Sequence, residues 1–547
     1  MTASRRARGL ARHPLLGVAS CLAVVLGVAT WLRLSPITYD NPFVYHPDEW
    51  TTVKPALNIA GTGDMDPYLF LYPSFLSYAE AVVSEVVHAV SGRPMGVPTP
   101  EGYAGLPARS ASDVDPLLYP YVAWGRRLVA ALGVLTALLV ALAGRAAARR
   151  GEVGRAWLAG LLGAGFIALA VLPLDNSRYL TTDVPSGFWT AAVMAATLAA
   201  LARPPDRVAD RLLILACFLA GLAGSTKYNA LAVAIVPTFA YLARAGSLRA
   251  LPGWSRQGVI SPMPLLMALA TVAGFVVATP YAILDAGTVA VAVSDQINHY
   301  STGHLGSQGD PVGYYFDYLW NTGFGPALSS LALAGLAWAL IRHRAVDLCL
   351  ASFAVLYLFL ASLPVVRYER NLLPLVPFVA LLAGRFAADA ALTLAGWIRP
   401  RSARLAVPAA AGLVALLALQ PLAAAIGDTQ RAGLPDTRTI ARRWIDANLP
   451  DGSTIVRESY TPQPDTYRYH VGYLLTLSEH NVTWYREQGF RYAIVSDRWY
   501  YRYSAPGYES EAAFYRELLS LPVVFSIQSS EAVQGPRIDI VDLGSSP

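Results

Sequence analysis

Charge is what this sequence has little of. Only 14% of its 547 residues are charged, whereas a soluble domain carries about 25%, so a string of globular domains is excluded for most of the chain. Of its 42 basic side chains only two, Lys54 and Lys227, are lysine. Cysteine is equally scarce. Cys21, Cys217 and Cys349 all lie inside apolar runs, which excludes a disulfide framework or a cysteine metal site. The net charge of +5 is spread over short loops with no basic stripe or domain, which argues against nucleic acid as a partner. What the sequence does have is long uncharged runs, such as Pro14–Leu32, Ala156–Pro173 and Val184–Ala202. Each approaches the ~20 residues that cross ~30 Å of hydrocarbon. With a mean hydropathy of +0.40, the chain reads as a polytopic membrane protein.

The arginines give the sidedness. Basic loops recur at Arg145–Arg155, Arg203–Arg211, Arg244–Arg256, Arg342–Arg344 and Arg399–Arg404. Placing these and the arginine-rich N-terminus in the cytoplasm predicts eleven spans, near 14–34, 120–143, 156–173, 184–202, 211–224, 228–243, 259–281, 323–341, 345–363, 371–390 and 405–426. The N-terminus is then inside and the C-terminus outside. The start resembles a signal peptide, but Thr30-Trp31-Leu32-Arg33 offers no small-residue cleavage site, so it is read as a retained first span. The apolar stretch Tyr68–Val90 carries Glu80, Glu85 and His88. Counting it as a span reverses every later loop, so it is read as an interfacial helix.

The predicted fold is an all-α polytopic membrane module over residues 1–426, with an extracytoplasmic α/β domain over 427–547. In that tail a helix is predicted from Asp436–Thr437 into Ile440–Asn448, and another at Ser510–Leu519. Strands are predicted at Ser453–Arg457, Tyr492–Ser496, Val523–Ile527 and Arg537–Val541.

The outer loops gather the chemistry. Asp48-Glu49, in Tyr45-His46-Pro47-Asp48-Glu49-Trp50, pairs two carboxylates of which one can serve as a base and one as an orienting or metal-binding group. The bland alternative is a helix cap by Asp48. Asp183 opens a span, where it either complements the helix N-terminus or holds a carboxylate rigidly at the membrane surface. Lys227, between two apolar spans, either snorkels or supplies a compact ammonium to a lipid-linked phosphate. Arg367, Tyr368 and Arg370 occupy an outer loop against the cytoplasmic bias. Pairing with Glu369 or guanidinium binding of a phosphate both account for them. His299 and His304 form a weak metal pair without an acid triad, and sugar or phosphate hydrogen bonding suits them better.

These residues resemble a family. Pro47-Asp48-Glu49, Thr182-Asp183, Thr226-Lys227, Thr279-Pro280-Tyr281, His299-Tyr300 with His304, and Arg367 to Pro374 follow one another in the order of the GT-C glycosyltransferases that use a polyprenyl-phosphate sugar donor. The dolichyl-phosphate-mannose protein mannosyltransferases and the bacterial aminoarabinose lipid A transferase are the nearest kin by these motifs. The resemblance runs from about residue 14 to 390. It implies two juxtamembrane helices in the first outer loop, residues 35–119. It also implies Asp48 as general base with Glu49 beside it, Asp183 as a second acid, and Lys227 with Arg367 or Arg370 on the carrier phosphate. One departure stands out: the acid–lysine pair of the aminoarabinose enzymes is replaced by Leu69-Phe70-Leu71-Tyr72-Pro73.

The expected activity is inverting transfer of a sugar, mannose being the family favourite, from a polyprenyl-phosphate donor to an acceptor hydroxyl on the outer membrane face. The acceptor is a protein, a lipid or a glycan. No cofactor is implied outright, and a divalent cation is the one candidate. The rivals are a transporter or flippase of lipid-linked sugars, which would keep its polar groups near mid-bilayer, and a non-catalytic receptor.

Overall fold

Apolar runs with few breaks fold as helices because only an intrahelical ladder satisfies the backbone away from water. The computed structural model describes residues 3–95, 116–148, 151–244, 262–302, 310–400 and 402–544. Among these residues seven helices are long and apolar enough to cross a membrane: 16–34, 116–146, 183–201, 207–226, 325–342, 369–398 and 404–432. The run expected as a single span over 156–173 is instead bent. Helix Val153–Leu169 meets Val171–Arg178 at 62°, because Ala170 adopts an extended backbone. The remaining expected spans fall on shorter pieces. Met263–Ala278 and Ala345–Ala361 are 16 and 17 residues long, and the segment from 228 begins as a 3-10 turn, Tyr228–Ala234, before helix Ile235–Arg244. Within the described residues all eleven expected spans therefore lie on helical segments, seven of which have the full length. Helix Phe75–Ser91, expected at the interface, is not among the candidate spans.

The bundle packs through small residues. Helices Arg207–Thr226 and Met263–Ala278 cross where Gly221 faces Gly274. A Cβ on Gly221 would strike the Thr271 carbonyl oxygen, and one on Gly274 the Phe218 carbonyl oxygen. Backbones approach this closely only when both positions lack a side chain.

Charge sits at the two ends of this bundle. Arg370 and Asp389 lie on one continuous helical stretch, 369–398, and at 1.5–2 Å rise per residue they stand roughly 30 Å apart. At the Asp389 end, Asp389 holds Arg342 at 2.5 Å and also pairs with Arg155, while Asp347 holds Arg385 at 2.7 Å. The candidate catalytic residues occupy the other end.

Beyond helix Ala403–Ala432 the tail forms a small sheet domain. Helix Thr437–Asn448 is capped by Asp436, whose side chain accepts the Arg438 N–H. Strands β1 Thr454–Arg457, β2 His470–Tyr473, β3 Tyr492–Ser496, β4 Val523–Ile527 and β5 Ile538–Asp542 pair in the order β2-β1-β3-β5-β4. β1 runs parallel to both β2 and β3, while β5 is antiparallel to β3 and β4. Four strands match the sequence expectation to within a residue. β2 is the addition: a four-residue edge strand containing Gly472, too short and too polar to stand out by alternation.

Candidate active site

The site is assembled from four separate chain segments, each brought in by a helix end. Asp48 precedes helix Trp50–Thr62, Asp183 opens helix Asp183–Leu201, Lys227 closes helix Arg207–Thr226, and Arg370 lies in the 3-10 turn Glu369–Leu375. Lys227 Nζ donates to Asp183 Oδ1 at 2.6 Å and to Asn371 Oδ1 at 2.8 Å. Arg370 Nη2 lies 2.7 Å from Asp48 Oδ2, and its Nε 4.0 Å from Asp183 Oδ2. Two carboxylates and two cations thus form one neutral quartet. Asp183 and Lys227 are buried in it, while Asp48 and Arg370 are partly exposed. The Asp48 contact is purely ionic. Its Oδ2 accepts no aligned hydrogen bond, which leaves lone-pair capacity for another donor.

The cap reading of Asp48 is not what forms: no side chain caps helix Trp50–Thr62. Instead the Asp48 backbone carbonyl accepts from Thr51 Oγ1 at 2.6 Å, and its N–H donates to His46 Nδ1 at 3.2 Å. Burial holds the His46 imidazole below its ordinary pKa, so the ring is neutral.

Glu49 is directed elsewhere. It is fully buried, accepts from Arg126 Nε at 2.7 Å and Nη2 at 2.6 Å, and takes the Leu180 N–H at 2.8 Å. Arg126 reaches on to both oxygens of Asp40, at 2.7 and 2.8 Å. Both Glu49 oxygens are thereby consumed. The residue expected beside the base is a tie between the Asp48 loop and the Leu180–Asp183 loop.

Of Arg367 and Arg370, only Arg370 joins the quartet. Arg367 is drawn away: its Nη1 donates to the Asp310 carbonyl at 2.8 Å and its guanidinium lies 4.6 Å over the Tyr314 ring. Tyr368 lies under Arg370, ring to guanidinium 4.6 Å, and keeps that cation in place. His299 packs its ring on Tyr300 at 5.7 Å, while the Tyr300 hydroxyl approaches Asn371 Nδ2 at 3.5 Å. His304 lies outside the described residues.

Sequence reasoning missed Asn371, Tyr300 and Tyr357. Tyr357 donates to the Asn371 carbonyl at 2.9 Å, fixing the amide that receives Lys227. Asn371 was discoverable as the neighbour of Arg370. Tyr300 stood in the quoted His299-Tyr300 motif without being assigned a role, and Tyr357 was not discoverable, because nothing in a span distinguishes a packed tyrosine from a site tyrosine.

A groove of about 550 Å³ starts at this cluster. Lys227, Asn371, Tyr300 and Tyr357 line it together with Leu231, Ala232, Ile297, Leu360, Ala361 and Pro364. Its wall is largely apolar, although Asn229, Gln296, Tyr72 and Tyr228 also line it. Among the described residues no group of three or more His, Cys, Asp or Glu side chains gathers. Asp48 and Asp183 each face a cation, and among the described residues no further His, Cys, Asp or Glu joins them as a metal centre would need.

No protein-family model matches this chain, and no curated protein sequence does. Solved structures match in fold. The oligosaccharyltransferase of Archaeoglobus fulgidus in the apo form superposes with a TM-score of 0.56 at 14% identity, over 91% of this chain and 71% of that one. The same archaeal protein, AglB, in complex with an inhibitory peptide and a dolichol-phosphate gives 0.53 at 14%, over 91% and 71%. ArnT from Cupriavidus metallidurans bound to undecaprenyl phosphate gives 0.51 at 14%, over 97% and 99%. Sequences this distant share architecture rather than demonstrated chemistry. The helical bundle with its appended sheet domain is thus the GT-C fold of those glycosyltransferases.

Proposed function

We propose that this protein is a membrane glycosyltransferase that moves a sugar from a polyprenyl-phosphate carrier to an acceptor hydroxyl at the outer membrane face. The observation that carries this reading is the convergence of Asp48, Asp183, Lys227 and Arg370 in one cluster, from which Lys227 opens onto a largely apolar groove. A lipid-linked sugar has that same polarity, an apolar tail joined to an anionic head. The neighbours in fold were captured with dolichol-phosphate and with undecaprenyl phosphate, which supports a donor of this class here.

In the proposed reaction the carrier tail lies along Leu231, Ala232 and Leu360, and its phosphate meets Lys227 and Arg370. The acceptor oxygen attacks the anomeric carbon from the face opposite the phosphate, which inverts the configuration. A bond forms between that oxygen and carbon while the carbon–phosphate-oxygen bond breaks. Asp48 takes the hydroxyl proton, a contribution of roughly 10²–10⁴-fold, and the lipid phosphate leaves with its charge held by the two cations. Asp183 keeps Lys227 aimed. Mannose is the first sugar to offer.

The test is purified full-length protein in liposomes with a panel of polyprenyl-phosphate sugars and acceptors. Asp48→Asn should lower turnover about 10²–10⁴-fold while donor binding persists, and Lys227→Met should weaken donor binding. Movement of donor across the bilayer without release of lipid phosphate would identify a flippase and sink the proposal.

A further inference from the structure

The groove is not the only cavity among the described residues. A second one, of about 230 Å³, opens between the 44–50 segment and the sheet domain, and shares no lining residue with the first. The groove is lined by Lys227 of the quartet and by Asn371, whereas the cleft is lined by no quartet member and comes nearest to it along the chain at His46 and Pro47, the residues directly before Asp48. Below the ~300–1,000 Å³ of drug-sized sites, it has room for one small ring rather than an extended chain.

Its lining is part aromatic and part polar. His46 and Trp50 come from the 44–50 segment and Tyr460 and Tyr473 from the sheet domain, with Ser459, Thr461, Gln463 and two arginines between them, of which Arg457 stacks on Tyr473 at 4.7 Å. The His46 ring packs on Tyr179 at 4.4 Å. Because its Nδ1 accepts the Asp48 N–H, the neutral ring carries its hydrogen on Nε2 and presents one N–H donor. Arg438 spends its guanidinium on Asp436 and the Tyr45 carbonyl, and stacks on Tyr45 at 4.1 Å. It braces the cleft and does not serve as an anion receptor. Tyr460 is the unusual member. It holds φ +64°, a left-handed backbone that an aromatic residue rarely adopts, and strain of this kind persists where surroundings over-determine it. Those surroundings are Trp499, at 6.2 Å between rings, and Arg502, 5.4 Å over the Tyr460 ring. Trp499 is itself pinned by its Nε1–H to Ser459 Oγ at 3.0 Å.

We propose that this cleft is the acceptor site and that its occupant is a sugar ring, so that the acceptor is a carbohydrate. The inference rests on the sugar-transfer reading and names the substrate class on its acceptor side. A pyranose has apolar C–H faces and a polar equator. The aromatic rings in the lining suit the faces, and the His46 imidazole, the Tyr460 hydroxyl and the Ser459 and Thr461 side chains in the same lining suit the hydroxyl groups. A lipid acceptor would need an aliphatic path into the cleft, and Val44 and Leu475 are its only aliphatic lining residues apart from Pro47. A peptide would need a longer trough.

Saturation-transfer NMR on the full-length protein in detergent tests this, using methyl glycosides of mannose, glucose and galactose against a serine/threonine peptide. At least one glycoside should receive saturation on its ring protons. Tyr460→Ala should weaken its binding about tenfold, the scale of a lost aromatic stack with its hydrogen bond, and Tyr460→Phe should weaken it less. Binding of undecaprenyl phosphate should be unchanged in both variants. Absence of binding by every glycoside, or binding indifferent to Tyr460→Ala while the variant still holds undecaprenyl phosphate, overturns the proposal. Sugar transfer to the peptide but to no glycoside also overturns it and leaves the transferase reading standing. Glycoside binding without any transfer does the reverse.

Discussion

Replacing Glu49 by glutamine separates positioning from catalysis in this site. The carboxylate is fully buried and accepts three hydrogen bonds, at 2.7 and 2.6 Å from Arg126 and at 2.8 Å from the Leu180 N–H. Glutamine retains one acceptor oxygen and turns an NH2 group toward a donor. Removing one partner of a buried pair costs about 3–5 kcal/mol. Arg126 keeps both contacts to Asp40, so the lower end, about 3 kcal/mol, applies. Native proteins hold about 5–15 kcal/mol in all, so the variant should fold yet unfold at a visibly lower temperature. Thermal unfolding followed by tryptophan fluorescence, together with turnover per folded molecule over a range of pH, reads both effects. The expected result is a large stability loss, a rate loss smaller than that of Asp48→Asn, and an unchanged pH profile. Native stability combined with a rate loss above about 100-fold would show that Glu49 acts on the reacting atoms, and the positioning argument would be wrong.

Arg370→Ala should weaken donor binding strongly and leave Asp48 without its ion pair, whereas Arg367→Ala should alter donor affinity little, and equal losses would contradict the assignment. Gly221→Ile forces apart two helix backbones already in contact. It should destabilise by about 1–3 kcal/mol, measurable by thermal unfolding, and lower activity as well because Lys227 ends the same helix. Glu458 is a pH reporter in the sheet domain. Burial raises its carboxyl to about 8 from the ordinary 4.5, although Tyr515, Ser496 and Leu477 donate to it. The folded state therefore retains a proton that the unfolded chain releases, and stability should fall as pH rises from about 4.5 towards 8, by up to about 1.4 kcal/mol per pH unit. Unfolding temperatures at pH 6, 7 and 8 should decline, and Glu458→Gln should flatten the decline.

The sequence alone determined that the chain is a membrane protein, because hydropathy is a local property and a helix in lipid needs no partner to satisfy its backbone. It also marked Asp48, Asp183 and Lys227, since a charge at the end of an apolar run is conspicuous wherever the chain goes next. Four of the five strands were readable for the same reason. Tertiary structure alone decided which neighbours these charges have. Arg367 and Arg370 are three residues apart and chemically alike, yet one faces Asp48 and the other faces Asp310 and Tyr314. Asp48 and Glu49 are adjacent, yet successive side chains at the start of a helix diverge by about 100°, so one meets the quartet and the other Arg126. The partner of each lies 77 to 322 residues away along the chain. Packing brings them together, and no local pattern encodes that distance.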